Sequence, residues 1–177
     1  MKTIVLLIMI HVCILLNAQT YASNIKVYND EGLGFQVSYP DTWQSVKPPD
    51  KAVFTITNGS AGIAFHVANY TGDNEASFLN EYKNGYGKQM ESDLRKRFPD
   101  AKIVESRDTI LGNYPAHLGK IQYSIRNMEL VSEITSLEIV CLHNKKLYLV
   151  ILESLKPRFE ENYKQFQWII RTFNFKR

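Results

Sequence analysis

The sequence predicts an α+β domain in which a central antiparallel sheet is flanked by a long middle helix and a C-terminal helix. Three observations carry this. Short strand-like runs separated by turn residues dominate the chain, two stretches repeat apolar residues at helical spacing, and Leu147–Leu152 is apolar at every position. A run without apolar/polar alternation has two faces to cover, which calls for helices on both sides of the sheet.

The chain begins with an export signal. Lys2 precedes an almost unbroken apolar stretch from Ile4 to Leu16, and Thr20-Tyr21-Ala22 follows as a cleavage site, with Ala18 as the second choice. This is the layout of a secretory signal peptide, and the stretch is shorter than the ~18–20 residues that cross a bilayer. Residues 1–22 are therefore read as signal peptide and 23–177 as a single domain, exported to a periplasmic or extracellular space, with no stable membrane span after cleavage. Cys13 follows Ile10-His11-Val12, which is not a lipidation context. Only Cys141 survives cleavage, so no internal disulfide forms, and its apolar surroundings from Leu137 to Leu142 make it a core residue.

Strands are expected at Ile25–Tyr28, Phe35–Tyr39, Val53–Thr57 and Ile63–Val67, punctuated by Asp30-Glu31-Gly32, Pro40-Asp41, Pro48-Pro49-Asp50 and Asn58-Gly59. A helix is expected from about Glu75 to Phe98, where Phe78, Tyr82, Tyr86, Met90, Leu94 and Phe98 recur every fourth residue and Pro99 ends the pattern. Gly85 and Gly87 interrupt it, each costing ~1 kcal/mol against Ala. A meander follows in Lys102–Arg107, Tyr114–Ile125, Glu129–His143 and Lys146–Glu153, with turns at Gly112-Asn113, Arg126-Asn127 and Asn144-Lys145. The closing helix starts near Pro157 and carries Phe159, Tyr163, Phe166, Ile170 and Phe173 on one stripe.

The stretch Gly34-Phe35-Gln36-Val37-Ser38-Tyr39-Pro40-Asp41-Thr42-Trp43 resembles the opening signature of the PsbP-like proteins, a strand of the form F-x-V-x-Y-P running into a turn and a Trp. The element order agrees across the rest of the chain, down to the aromatic pair Phe173 and Phe175. The resemblance, which extends to DcrB-like envelope proteins, implies an α/β/α sandwich and a role in binding or assembly. A photosynthetic role is not carried over, because the leader has no thylakoid-targeting layout.

The residues themselves supply no chemistry. His66, His117 and His143 lie in separate segments with no carboxylate at metal-ligand spacing, so no metal or cofactor site is read. Asn58-Gly59-Ser60-Ala61-Gly62 does not bracket its serine as a nucleophile elbow does, and Gly85-Tyr86-Gly87-Lys88 lacks the phosphate-loop pattern. A net charge of +3 excludes a protein that lives by binding nucleic-acid backbones. Asn58 and Asn69 match the glycosylation pattern, which matters only in a eukaryotic secretory pathway. No catalytic residue is named, and the chain is not expected to be an enzyme. The expected partner is another envelope protein or an apolar small molecule carried between sheet and helix, with a hydrolase assembled from distant residues as the lesser alternative. Trp43, Tyr70, Tyr86 and Tyr114 are the candidate contacts, chosen because aromatics are enriched in binding patches.

Overall fold

A computed structural model describes residues 24–49, 51–72, 75–85 and 91–176. In chain order the elements are β1 (Ile25–Asp30), β2 (Phe35–Pro40), β3 (Gln44–Ser45), β4 (Phe54–Thr57), β5 (Ala61–Asn69), α1 (Glu75–Gly85) and α2 (Glu91–Arg97). There follow β6 (Lys102–Leu111), β7 (Tyr114–Asn127), β8 (Leu130–His143), β9 (Lys146–Leu155), a 3-10 turn at Lys156–Arg158, α3 (Phe159–Arg171) and β10 (Asn174–Phe175). The strands form two antiparallel sheets. One has the order β1-β2-β10 and the other β3-β4-β5-β9-β8-β7-β6.

The first two strands thus leave the main sheet, where a single sheet was expected. Their own hairpin is closed by Asp30, whose Oδ1 accepts the Leu33 N–H at 2.8 Å, and by Gly34 at φ 79°. Phe35, Val37 and Tyr39 point from β2 into the main core, and Phe35 stacks on Phe173 at 5.3 Å. The chain end adds β10 to β2, a strand too short to be read from periodicity.

In the main sheet, alternation assigns two faces. Leu118, Leu137, Ile139, Val150, Leu152, Ile63 and Phe65 share one of them, covered by α3 and the small sheet. Lys120, of the same parity as Leu118, lies 4.3 Å from the Phe159 ring centroid of α3. His117, Ile121 and Tyr123 point the other way. There Tyr82 of α1 meets His117 edge-on at 5.8 Å, and Phe98, just after α2, stacks on Tyr123 at 4.4 Å. Helical contacts therefore fall on both faces, but unevenly. On β9, Tyr148, Val150 and Leu152 are buried, whereas Leu147, Leu149 and Ile151 are half-buried, because α1 and α2 lie over β6, β7 and β8 instead.

Helix α3 buries Phe159, Asn162, Phe166 and Ile169, with Phe173 beyond its end. The expected stripe is thus rotated: Asn162 and Ile169 face the core, while Tyr163 and Ile170 are half-buried. The buried apolar members contribute ~1.5–3 kcal/mol each. Asn162 is tolerated because its Nδ2 donates to Ser154 Oγ at 2.8 Å and its Oδ1 accepts from Asn58 Nδ2 at 2.9 Å. Thr172 Oγ1 accepts the Ser38 N–H at 2.8 Å, fastening the helix end to β2.

The middle helix is described as two segments, and residues 86–90, with Gly87, lie outside the described residues. The β7–β8 turn also departs from expectation. Asn127 pairs with Leu130, so the two-residue loop is Met128-Glu129 and not Arg126-Asn127. Ladder pairing runs through that polar dipeptide and sets the turn beyond it. By contrast Gly112-Asn113 and Asn144-Lys145 form their hairpins as read, all four residues at positive φ. Gly112 has a second reason to be glycine, since a Cβ there would come within 2.8 Å of the Phe175 ring.

Candidate functional site

The aromatic candidates do not converge. Trp43 is fully buried, turned inward by its N–H bond to Pro40 O at 3.0 Å, and its indole N–H donates to Gln165 Oε1 at 2.7 Å. Its ring holds α3 and offers no surface to an occupant. Tyr70 is half-buried and packs edge-on against Phe78 at 5.2 Å. Tyr114 is 41% exposed and leans on His143 at 4.0 Å and Phe175 at 5.2 Å. Tyr86 lies outside the described residues. Pairing of Ala68 with Leu147 and of Ala116 with Cys141 puts Tyr70 and Tyr114 at the same end of the main sheet.

The nearest approach to reaction chemistry is on the face under α1. Ser106 Oγ lies 3.1 Å from His117 Nε2, and Asp108 is the cross-strand neighbour of His117. Two features keep this contact from being a catalytic triad. Asp108, which would orient the imidazole, is engaged by Lys83 Nζ at 2.6 Å, and the hydroxyl sits within a β-ladder rather than at a turn or helix start where donors for an oxyanion converge. Burial holds the His117 pKa below its ordinary value, opposed by Asp108 and assisted by Lys83; the Lys83 ammonium holds the Asp108 carboxyl low. The cluster is a polar patch under a helix. Among the described residues no group of three or more His, Cys, Asp or Glu is placed to hold a metal ion.

Two clefts mark opposite ends of the molecule. One of about 200 Å³ is lined by charged and polar groups, among them Asp100, Lys102, Glu133 and Lys156. The other, about 410 Å³, lies beside the β6–β7 turn and mixes Ile110, Ile170 and Phe173 with Asn113, Arg171 and Asn174. Neither has the predominantly apolar wall that a carrier of an apolar molecule needs.

An exposed apolar surface adjoins the first cleft, sharing Ile134 with it. At the tip of the β7–β8 hairpin Met128 is 100% exposed, Leu130 76%, Val131 55% and Ile125 43%. Register puts Ile125, Leu130, half-buried Ile134 and Leu155 on one face of the ribbon, with Met128 at its end. Arg126 and Glu129 flank it, both exposed. Met128 has φ 52°, a left-handed conformation that Gly or Asn adopts more cheaply. A search guided by aromatic residues misses this site because its members are aliphatic. The signal was present in Ile125-Arg126-Asn127-Met128-Glu129-Leu130-Val131, where a methionine takes the place of a turn residue.

With the geometry in view, the family model described as PsbP matches residues 23–175. The chain belongs to the PsbP family. Solved structures resemble this PsbP-family chain over most of its length at low identity. Cyanobacterial PsbP from Synechocystis is 12% identical with a TM-score of 0.64, covering 89% of this chain and 95% of its own. LpqN of Mycobacterium tuberculosis, described as involved in cell envelope biogenesis, is 14% identical with a TM-score of 0.58 over 88% and 93%. The Ran-binding protein Mog1p of Saccharomyces cerevisiae is 12% identical with a TM-score of 0.55 over 87% and 96%. These likenesses show the fold. Comparison with curated proteins returns no match. Among the described residues no helix is long and apolar enough to cross a membrane.

Proposed function

We propose that this chain is an exported, non-enzymatic binding or assembly accessory that engages a second envelope protein through the tip of the β7–β8 hairpin. The carrying observation is the exposure of Ile125 and Leu130 on one face of the projecting ribbon with Met128 at its end, Val131 being exposed on the opposite face. Contiguous exposed apolar groups of this kind mark contact sites, and a convex tip suits an apolar cleft on the partner. Full burial of each would contribute ~1.5–3 kcal/mol before the costs of association. Export rests on the leader at residues 1–22, and the complete α/β/α sandwich on family membership together with helical contacts on both sheet faces. LpqN, involved in cell envelope biogenesis, supports an accessory role in the envelope, and the Ran-binding protein Mog1p supports a binding role. Tyr70 and Tyr114, at the far end of the sheet, are contacts of lesser weight in this reading.

Site-specific photo-cross-linking in the source cell tests it. A photoreactive residue at Leu130 should yield one dominant protein adduct, and the same probe at Glu160, on the wet side of α3, should not. Equal labelling from both positions, or none from Leu130, contradicts the proposal.

A further inference from the structure

We propose that Met128 is a redox-sensitive modification site whose oxidation to the sulfoxide switches the hairpin tip from apolar to polar; the consequence for docking rests on the reading above, but the site itself does not. Two independent observations meet at this residue. The residue is 100% exposed, so its thioether is accessible to solution. Its backbone is held at φ 52°, where a turn would ordinarily place Gly or Asn. A fold that keeps a methionine in an unfavourable backbone position, fully in water at the end of the apolar face formed by Ile125 and Leu130, is using its side chain rather than its backbone.

The chemistry is a two-electron oxidation by a peroxide-class oxidant. The sulfur lone pair attacks one oxygen of hydrogen peroxide, the O–O bond breaks, the transferred oxygen gives its proton through solvent to the leaving hydroxide, an S=O bond remains, and the second oxygen leaves as water. The sulfur is oxidised and the peroxide reduced. The product carries a strong dipole where the apolar surface is most exposed, so burying it in an apolar cleft costs free energy that burying the thioether does not. Cys141 does not compete for the oxidant, being fully buried with its thiol pushed up to about 12 by that burial.

The test begins with kinetics on the folded chain. Peptide mapping during hydrogen peroxide treatment should give a Met128 oxidation rate in the native protein within about twofold of that in urea, because folding shields nothing at this position. A native rate more than tenfold slower overturns the site. Because residues 23–177 also contain Met90, hydrophobic-interaction chromatography uses a Met90→Leu background: the oxidised Met90→Leu protein should elute earlier, while Met90→Leu/Met128→Leu treated alike keeps its retention; an unshifted Met90→Leu protein overturns the polarity switch. Finally, the Leu130 cross-link should fall at least tenfold after Met128 oxidation and persist in peroxide-treated Met128→Leu. An unchanged yield after complete oxidation overturns the docking consequence, whereas no adduct even before oxidation contradicts the docking surface and leaves the first two results to decide the site.

Discussion

Replacing Asn162 by Ala should destabilise the protein more than any apolar truncation of similar size on the wet side of α3. Asn162 is 1% exposed, and its Nδ2 donates to Ser154 Oγ at 2.8 Å and Ser60 Oγ at 3.2 Å, while its Oδ1 accepts from Asn58 Nδ2 at 2.9 Å. Truncation leaves the Asn58 amide and the Ser154 hydroxyl, itself 2% exposed, without that partner. The hydroxyl keeps Leu155 O as acceptor at 3.1 Å, so the larger loss falls on Asn58. Asn58 is half-buried, so its lost bond costs about 1 kcal/mol, and the lost packing of Asn162 adds to it; a total of about 1–2 kcal/mol lowers Tm by about 2–8 °C in a domain of this size. Asn162→Leu restores volume but not the bonds, and should remain less stable than wild type. The assay is thermal and urea unfolding of wild type, Asn162→Ala, Asn58→Ala and the double variant, whose coupling should be about 1 kcal/mol. Strict additivity, or an Asn162→Ala midpoint within about 1 °C of wild type, would refute the reasoning.

Further outcomes follow from the same contacts. Trp43→Phe loses the bond to Gln165 and leaves a void in a fully buried site, and should cost about 1–3 kcal/mol by urea titration. Because burial lowers the His117 pKa, the unfolded chain binds that proton more readily. Stability is then complete above the ordinary value of 6.5 and falls as pH drops from there through the lowered folded-state pKa. Asp108, held low by Lys83, extends the loss at more acid pH, and His117→Gln should flatten the profile near pH 6 in Tm-against-pH curves. The Cys141 thiol should resist a thiol reagent in the native state and react only at the rate of unfolding. A chain ending at Leu155 should be insoluble, since it bares the core that Phe159, Phe166, Ile169 and Phe173 cover.

Much of the fold was legible because local chemistry and tertiary structure agree. The hairpin turns at Gly112-Asn113 and Asn144-Lys145 need positive φ, and the sequence supplies residues that accept it. The helix stripe was misread by one position because hydropathy assigns Asn162 to water, whereas three partners from β9 and the β4–β5 turn make it a core residue. Two of those partners, Asn58 and Ser60, lie 104 and 102 residues away, so no local pattern reveals them. The separate β1-β2-β10 sheet was hidden likewise, its closing strand being two residues whose pairing only tertiary contact defines. The candidate surface was half legible. Aromatic content pointed to Trp43, which packing consumed, while Met128 stands out in the sequence as an apolar residue near a turn and its place at the tip follows from the pairing of Asn127 with Leu130.

The claim that this is a docking protein working through its β7–β8 tip is tested most directly by an affinity. The cross-linked partner, once identified and purified, should bind the wild-type chain at least about thirtyfold more tightly than Met128→Asp/Leu130→Asp, a loss of about 2 kcal/mol or more, with the variant's unfolding midpoint unchanged. Equal affinity for the two proteins, both folded, would contradict the account.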